Sequence, residues 1–173
     1  MCSSDLGRLT VTKTLGDTDN DGDYDQLYAF GGRSISILDP FGSMIWDSGS
    51  QLEETIATND PTTFNADHEP LVPEIDNRSD NKGPEPEGIA TGVIDGRPYA
   101  FVGMERQGGI FAYDLRSKIG KAELAGYINT RPADRGPEGL SFVPAAESPN
   151  GKPLVLVTNE ITGTVNILQV ARK

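Results

Sequence analysis

The 173-residue chain is predicted to be all-β, and three observations carry that expectation. Helical periodicity is nearly absent. Short runs rich in β-branched and aromatic residues recur instead, separated by clusters of Gly, Pro, Asn and Asp. The connections carry turn chemistry: "DPFG" at 39–42, "DG" at 95–96 and "PNG" at 149–151 each suit a tight reversal between antiparallel strands.

The third observation is an internal repeat. Pro86-Glu87-Gly88 returns 51 residues later as Pro137-Glu138-Gly139. Glu105, closing a second strand, returns 55 residues later as Glu160, and the four extra residues fall in the longer turn "AAESPNG". A fainter copy opens the chain, where "QLYAFGGRSISILD" echoes "RPYAFVGMERQGGIFAYD" with a shortened turn. Units of about fifty residues with three or four strands each are propeller blades. Closed rings need roughly four to eight of them. The expected architecture is therefore a partial β-propeller of about three blade-like antiparallel units, with a small sandwich as the alternative. The end units of such an arc expose strand edges and one apolar face each.

Along the chain, residues 1–8 read as a non-native leader, because "MCSSDL" has no apolar run and joins abruptly onto strand-like sequence. No signal peptide is visible, and behind such a leader its absence carries no information. Residues 9–49 form the expected first blade, from "RLTVTKTL", "QLYAFGG", "SISILD" and "SMIWDSG". Residues 50–85 are a polar, proline-marked insertion with at most a short helix near "LEETIA"; loops of this length are commonly functional. Residues 86–135 supply the second blade and 136–173 the third.

The formal net charge is −11, which argues against nucleic acid and anionic membranes as partners. It is unevenly spread. Residues 1–88 hold 18 Asp/Glu against 5 Lys/Arg, whereas residues 89–173 hold 8 against 10. The acidity belongs to particular loops. No apolar stretch is long enough to span a membrane. Cys2 is the only cysteine, so neither an intrachain disulfide nor a cysteine metal site is available.

The most specific motif is "GDTDNDGDYD", with Asp17, Asp19, Asp21, Asp23 and Asp25 on alternating positions. Two unit charges about 4 Å apart cost roughly 4 kcal/mol at an effective dielectric near 20. A calcium ion removes that cost, since it seeks six to eight oxygens at about 2.3–2.6 Å. Gly22 permits the sharp turn, the Asp23 carbonyl can add a ligand, and Asp25 can close the sphere. Position twelve is Tyr28 where an EF-hand has Glu, and strand-like sequence flanks the loop, so a calcium loop within a β-hairpin is expected. It resembles the metal loops of integrin-type propellers. An Asp-rich solvated turn is the plainer alternative.

Glu87 and Glu138 precede the first strands of their blades, and Glu105 and Glu160 end the second strands. Together they could line a channel mouth and hold a second cation or polar ligand. The preferred reading is that each satisfies backbone amides of a neighbouring turn. His68 is the sole histidine, expected to be an exposed loop residue, with no second histidine for a zinc site. Arg78, Asp80 and Lys82 offer a mixed-charge patch that could grip phosphate, or form ordinary loop ion pairs.

With these motifs in order, the chain resembles the choice-of-anchor I propeller proteins, bacterial exported or surface-attached proteins related to mesenchyme-specific cell-surface glycoproteins. The resemblance covers nearly everything after residue 8. It implies a calcium-associated extracellular β-propeller, of which this chain is the carboxy-terminal portion. The functional expectation is a non-catalytic, calcium-stabilised surface or secreted module that binds surface or matrix components or mineral. The rival is a calcium-dependent phosphoesterase acting on a phosphate-containing ligand, with Glu87, Glu105, Glu138, Glu160 and the 78–82 loop as its working groups.

Overall fold

The computed structural model describes residues 7–116 and 120–171; most of the expected leader lies outside the described residues. Among the described residues, nine strands form three antiparallel sheets. The first has two strands, β1 (Ser36–Leu38) and β2 (Met44–Asp47). The second is a four-stranded meander of β3 (Pro86–Ile94), β4 (Arg97–Met104), β5 (Ile110–Asp114) and β6 (Glu123–Ile128). The third is a three-stranded meander of β7 (Pro137–Val143), β8 (Leu154–Asn159) and β9 (Thr164–Gln169). One short helix, α1 (Gln51–Asn59), leads into a 3-10 turn at Pro61–Thr63.

The expected turns are where the sequence puts them. Asp39 Oδ1 accepts from the Phe41 and Ser43 amides, both at 2.9 Å, which curls the β1–β2 connection. Asp95 and Gly96 both take positive φ (50° and 74°), the conformation of a two-residue hairpin with the strand twist. The repeat is equally plain. Pro86 pairs with Met104 and Pro137 with Asn159, each followed by an irregularity in register. The Glu105 amide then donates to the Glu85 carbonyl and the Glu160 amide to the Gly136 carbonyl, at 2.9 and 2.8 Å. Glu105 and Glu160 therefore occupy equivalent places at the strand ends.

The sheets stack face to face, with the four-stranded one in the middle. Its strand β4 is buried on both sides, which is why "YAFVGM" shows no polar alternation. Ala100, Val102 and Met104 face Leu52 and Ile56 of α1, packed with Ile37 and Trp46 of the small sheet. Tyr99 and Phe101 face the other way, toward Val155, Val157 and Phe142. Phe101 and Phe142 lie almost parallel, 8° apart with centroids at 5.9 Å. Fully burying a side chain of this size stabilises the fold by about 1.5–3 kcal/mol. Close approach of β3 to β7 depends on two glycines. A Cβ on Gly88 would stand 2.3 Å from the Glu138 carbonyl oxygen, and one on Gly92 would stand 2.3 Å from the Phe142 ring.

Both ends of the stack are apolar and exposed: Leu38 and Met44 at one end, Val165 and Ile167 at the other. This is the arrangement expected of consecutive blades in an open arc.

The amino-terminal segment departs from expectation. "RLTVTKTL" and "QLYAFGG" do not form strands; they meet in a single bridge between Val11 and Ala29. Several of their large apolar residues stay in solvent, with Leu15, Leu27 and Phe30 each more than half exposed. An isolated two-stranded ribbon is marginal in water.

Candidate functional site

The insertion lies across the ends of the strands, and arginines from both halves of the chain hold it. Arg131 Nη2 donates to the Asp67 carbonyl at 2.9 Å, and its Nη1 to the Arg106 and Gln107 carbonyls at 3.4 and 3.3 Å. Arg135 Nη1 donates to the His68 carbonyl at 3.1 Å and also to that of Glu69. Arg33 reaches the Ser79 carbonyl while its Nη1 pairs with Glu53 at 2.9 Å.

This clamping buries His68, which is only 2% exposed. The expectation of an exposed loop histidine is wrong. Groups from three separate stretches meet the ring, and of these only Asp67 is adjacent to it in sequence. Its Nδ1 faces Glu160 Oε1 at 3.6 Å, and its Nε2 faces Asp67 Oδ1 at 3.7 Å. Arg106 Nη1 contacts Nε2 directly. Burial first, then the Arg106 charge, holds the imidazole below its ordinary pKa, so it is neutral near pH 7.

Around the histidine, Arg106 Nη2 pairs with Glu105 Oε1 at 3.0 Å and its Nε lies 3.7 Å from Glu85. Glu85, only 6% exposed, also takes Arg78 and Lys82. Arg78 lies 3.7 Å from Asp67, and Asp80 lies 4.0 Å from Arg8. Of the two readings of the Arg78, Asp80 and Lys82 patch, these are the loop ion pairs. Glu105 is buried, and burial together with the Glu87 carboxyl pushes its pKa up to about 7 in spite of Arg106.

Of the four glutamates at the strand ends, Glu105 and Glu160 converge: with His68 they place three ligand atoms within 4.8 Å of one another. Glu87 reaches Glu105. Glu138 is exposed and stands outside such a group among the described residues. Sequence reasoning passed over His68 as a member, and the repeated Glu was the one available signal.

The aspartate loop is the second constellation. Carboxylate oxygens of Asp17, Asp19 and Asp21 lie within 4.8 Å of one another. Asp17 Oδ1 is buried and has no hydrogen-bond partner, while its Oδ2 accepts from the Gly22 amide at 3.2 Å. Asp23 turns its amide onto Asp21 Oδ1 at 3.0 Å. Asp25 Oδ2 accepts from the hydroxyl and amide of Thr18, at 2.5 and 3.0 Å, and these bonds hold its carboxyl below the ordinary range. Asp23 and Asp25 are thus not part of the three-acid group.

No helix among the described residues is long and apolar enough to cross a membrane. Comparison with known proteins gives the kinship. The choice-of-anchor I domain matches residues 2–118. Gigasin-3a of Magallana gigas is 34% identical over 184 aligned positions, which cover 95% of this chain and 64% of that protein. The mesenchyme-specific cell surface glycoprotein of Strongylocentrotus purpuratus is 35% identical over 94 positions, 47% of this chain and 12% of its own length. No solved structure matches. The chain spans 64% of the first relative and far less of the second. A domain match over residues 2–118, with the first relative aligned along nearly the whole chain, establishes that the chain belongs to the choice-of-anchor I family.

Proposed function

We propose that the chain is a calcium-ordered, non-catalytic binding module of a secreted or surface-displayed propeller, with surface, matrix or mineral material as its partner. Its kinship supports the location, since one relative is named a cell surface glycoprotein. The observation that carries the calcium part is the convergence of Asp17, Asp19 and Asp21 around a buried, partnerless Asp17 oxygen. That donor set suits a hard divalent ion. The three carboxylates would hold it, the Asp23 carbonyl is the next oxygen along the loop, and Asp25 braces the turn through Thr18. An ion that binds the ordered loop stabilises it by linkage. Ties of the segment to the rest include the Thr10 amide on the Asp80 carbonyl, at 2.8 Å, and the Arg8–Asp80 ion pair, at 4.0 Å.

A phosphoesterase reading has less support, because Arg78 and Lys82 are engaged by Glu85 and Asp67. The test is titration calorimetry of the chelator-stripped chain with calcium chloride. Uptake is expected, and Asp17→Asn with Asp21→Asn should abolish it. At free calcium a hundred times Kd, linkage adds about 2.7 kcal/mol to the loop, visible as slowed amide exchange over residues 16–26. Absence of heat and unchanged exchange would refute the reading.

A further inference from the structure

We propose that His68, Glu105 and Glu160 form a site for a divalent ion of the zinc class, separate from the aspartate loop and independent of the calcium reading. Two observations point there. The three ligand atoms lie within 4.8 Å of one another, and His68 is 98% buried with its Nδ1 aimed at the gap and no hydrogen-bond partner. A buried polar atom left without a partner is costly, so the arrangement asks for something to bind it. Space beside Nδ1 is kept by Gly136, where a Cβ would stand 3.3 Å from that nitrogen and 2.9 Å from Glu160 Cγ.

The ligand types select the ion. Calcium and magnesium prefer all-oxygen shells, whereas one imidazole with two carboxylates suits zinc and its neighbours. Three protein ligands leave a position for water. Zinc bonds of roughly 2.0–2.2 Å require the ligand atoms to draw together from their present spacing. Glu160, whose side chain is 39% exposed, is free to supply that movement.

The proton displaced from the ring has a destination. Arg106 donates to Nε2, so the ring proton sits on Nδ1. An ion on Nδ1 moves that proton to Nε2, where Asp67 Oδ1 lies 3.7 Å away, and Arg106 falls back on Glu85 and Asp67. The result is a carboxylate–histidine–metal relay, the usual support of a metal-bound imidazole. The ion would fasten the insertion to the ends of β4 and β8 at once.

Because His68 is the only histidine, an untagged chain gives an unambiguous readout. Loaded with Cu²⁺ as a probe, it should show electron spin-echo modulation from a remote imidazole nitrogen. Calorimetry with Zn²⁺ should show one site that Asp17→Asn leaves intact. Glu160→Gln, at a partly exposed position that tolerates change, should weaken zinc by about tenfold or more. A copper spectrum without imidazole modulation, or zinc uptake that is absent or indifferent to Glu160→Gln, would overturn the proposal. Loss of zinc uptake in Asp17→Asn would do so as well.

Discussion

Replacing Gly92 and Phe142 by alanine, singly and together, probes whether the four- and three-stranded sheets are packed through the face described above. Phe142 is half-buried and lies nearly parallel to Phe101. Truncating a fully buried phenylalanine costs about 3–5 kcal/mol; with part of this ring in solvent, about 2–3 kcal/mol is expected. Gly92→Ala puts a methyl group 2.3 Å from the same ring, an overpacking worth about 1–3 kcal/mol. In the Phe142→Ala background the obstacle is gone, and alanine in a strand is no worse than glycine. The double variant should therefore be about 1–3 kcal/mol more stable than the sum of the singles predicts. Urea unfolding with a common m-value reads this directly, and Phe142→Ala should lower Tm by about 4–12 °C. Additivity within about 0.5 kcal/mol would refute the contact.

Arg131→Lys keeps the charge but loses the fork that spans carbonyls of two segments, so the insertion should loosen; limited proteolysis within residues 60–85 should accelerate several-fold, and an unchanged cleavage rate would count against the clamp. Asp47 is held below its ordinary pKa chiefly by the Ser36 hydroxyl, with the Gly49 amide and the Ser34 hydroxyl adding to it. Its contribution is therefore complete above the unfolded pKa and lost as pH falls through the lower folded value. Asp47→Asn should cost about 1–2 kcal/mol at pH 7 and nothing once both forms are protonated, measured by denaturation at the two pH values.

Much of the fold was legible because strand pairing has a fixed register. The offset between the two Pro-Glu-Gly triplets becomes the matched pairs Pro86–Met104 and Pro137–Asn159, which carry Glu105 and Glu160 to equivalent places. What remained hidden depends on contacts between distant residues. His68 sits in a polar stretch, and its burial follows from Arg131 and Arg135, more than sixty residues away, gripping the backbone around it. Nothing local to "NADHEP" announces that. The first two β-rich runs misled for the opposite reason: their propensity is real, yet Leu27 and Phe30 stay in solvent. In the aspartate loop, spacing singled out the acids but not that Thr18 would engage Asp25 and leave Asp17, Asp19 and Asp21 as the group.

The arginine grip on the insertion has a consequence for how the loop can evolve. Arg131 and Arg135 hold carbonyl oxygens, a group that every amino acid possesses whatever its side chain. The course of the loop at Glu69 and Pro70 is thereby uncoupled from its lettering. Substitutions there can rewrite what the surface offers to a visitor while the path of the main chain is inherited unchanged.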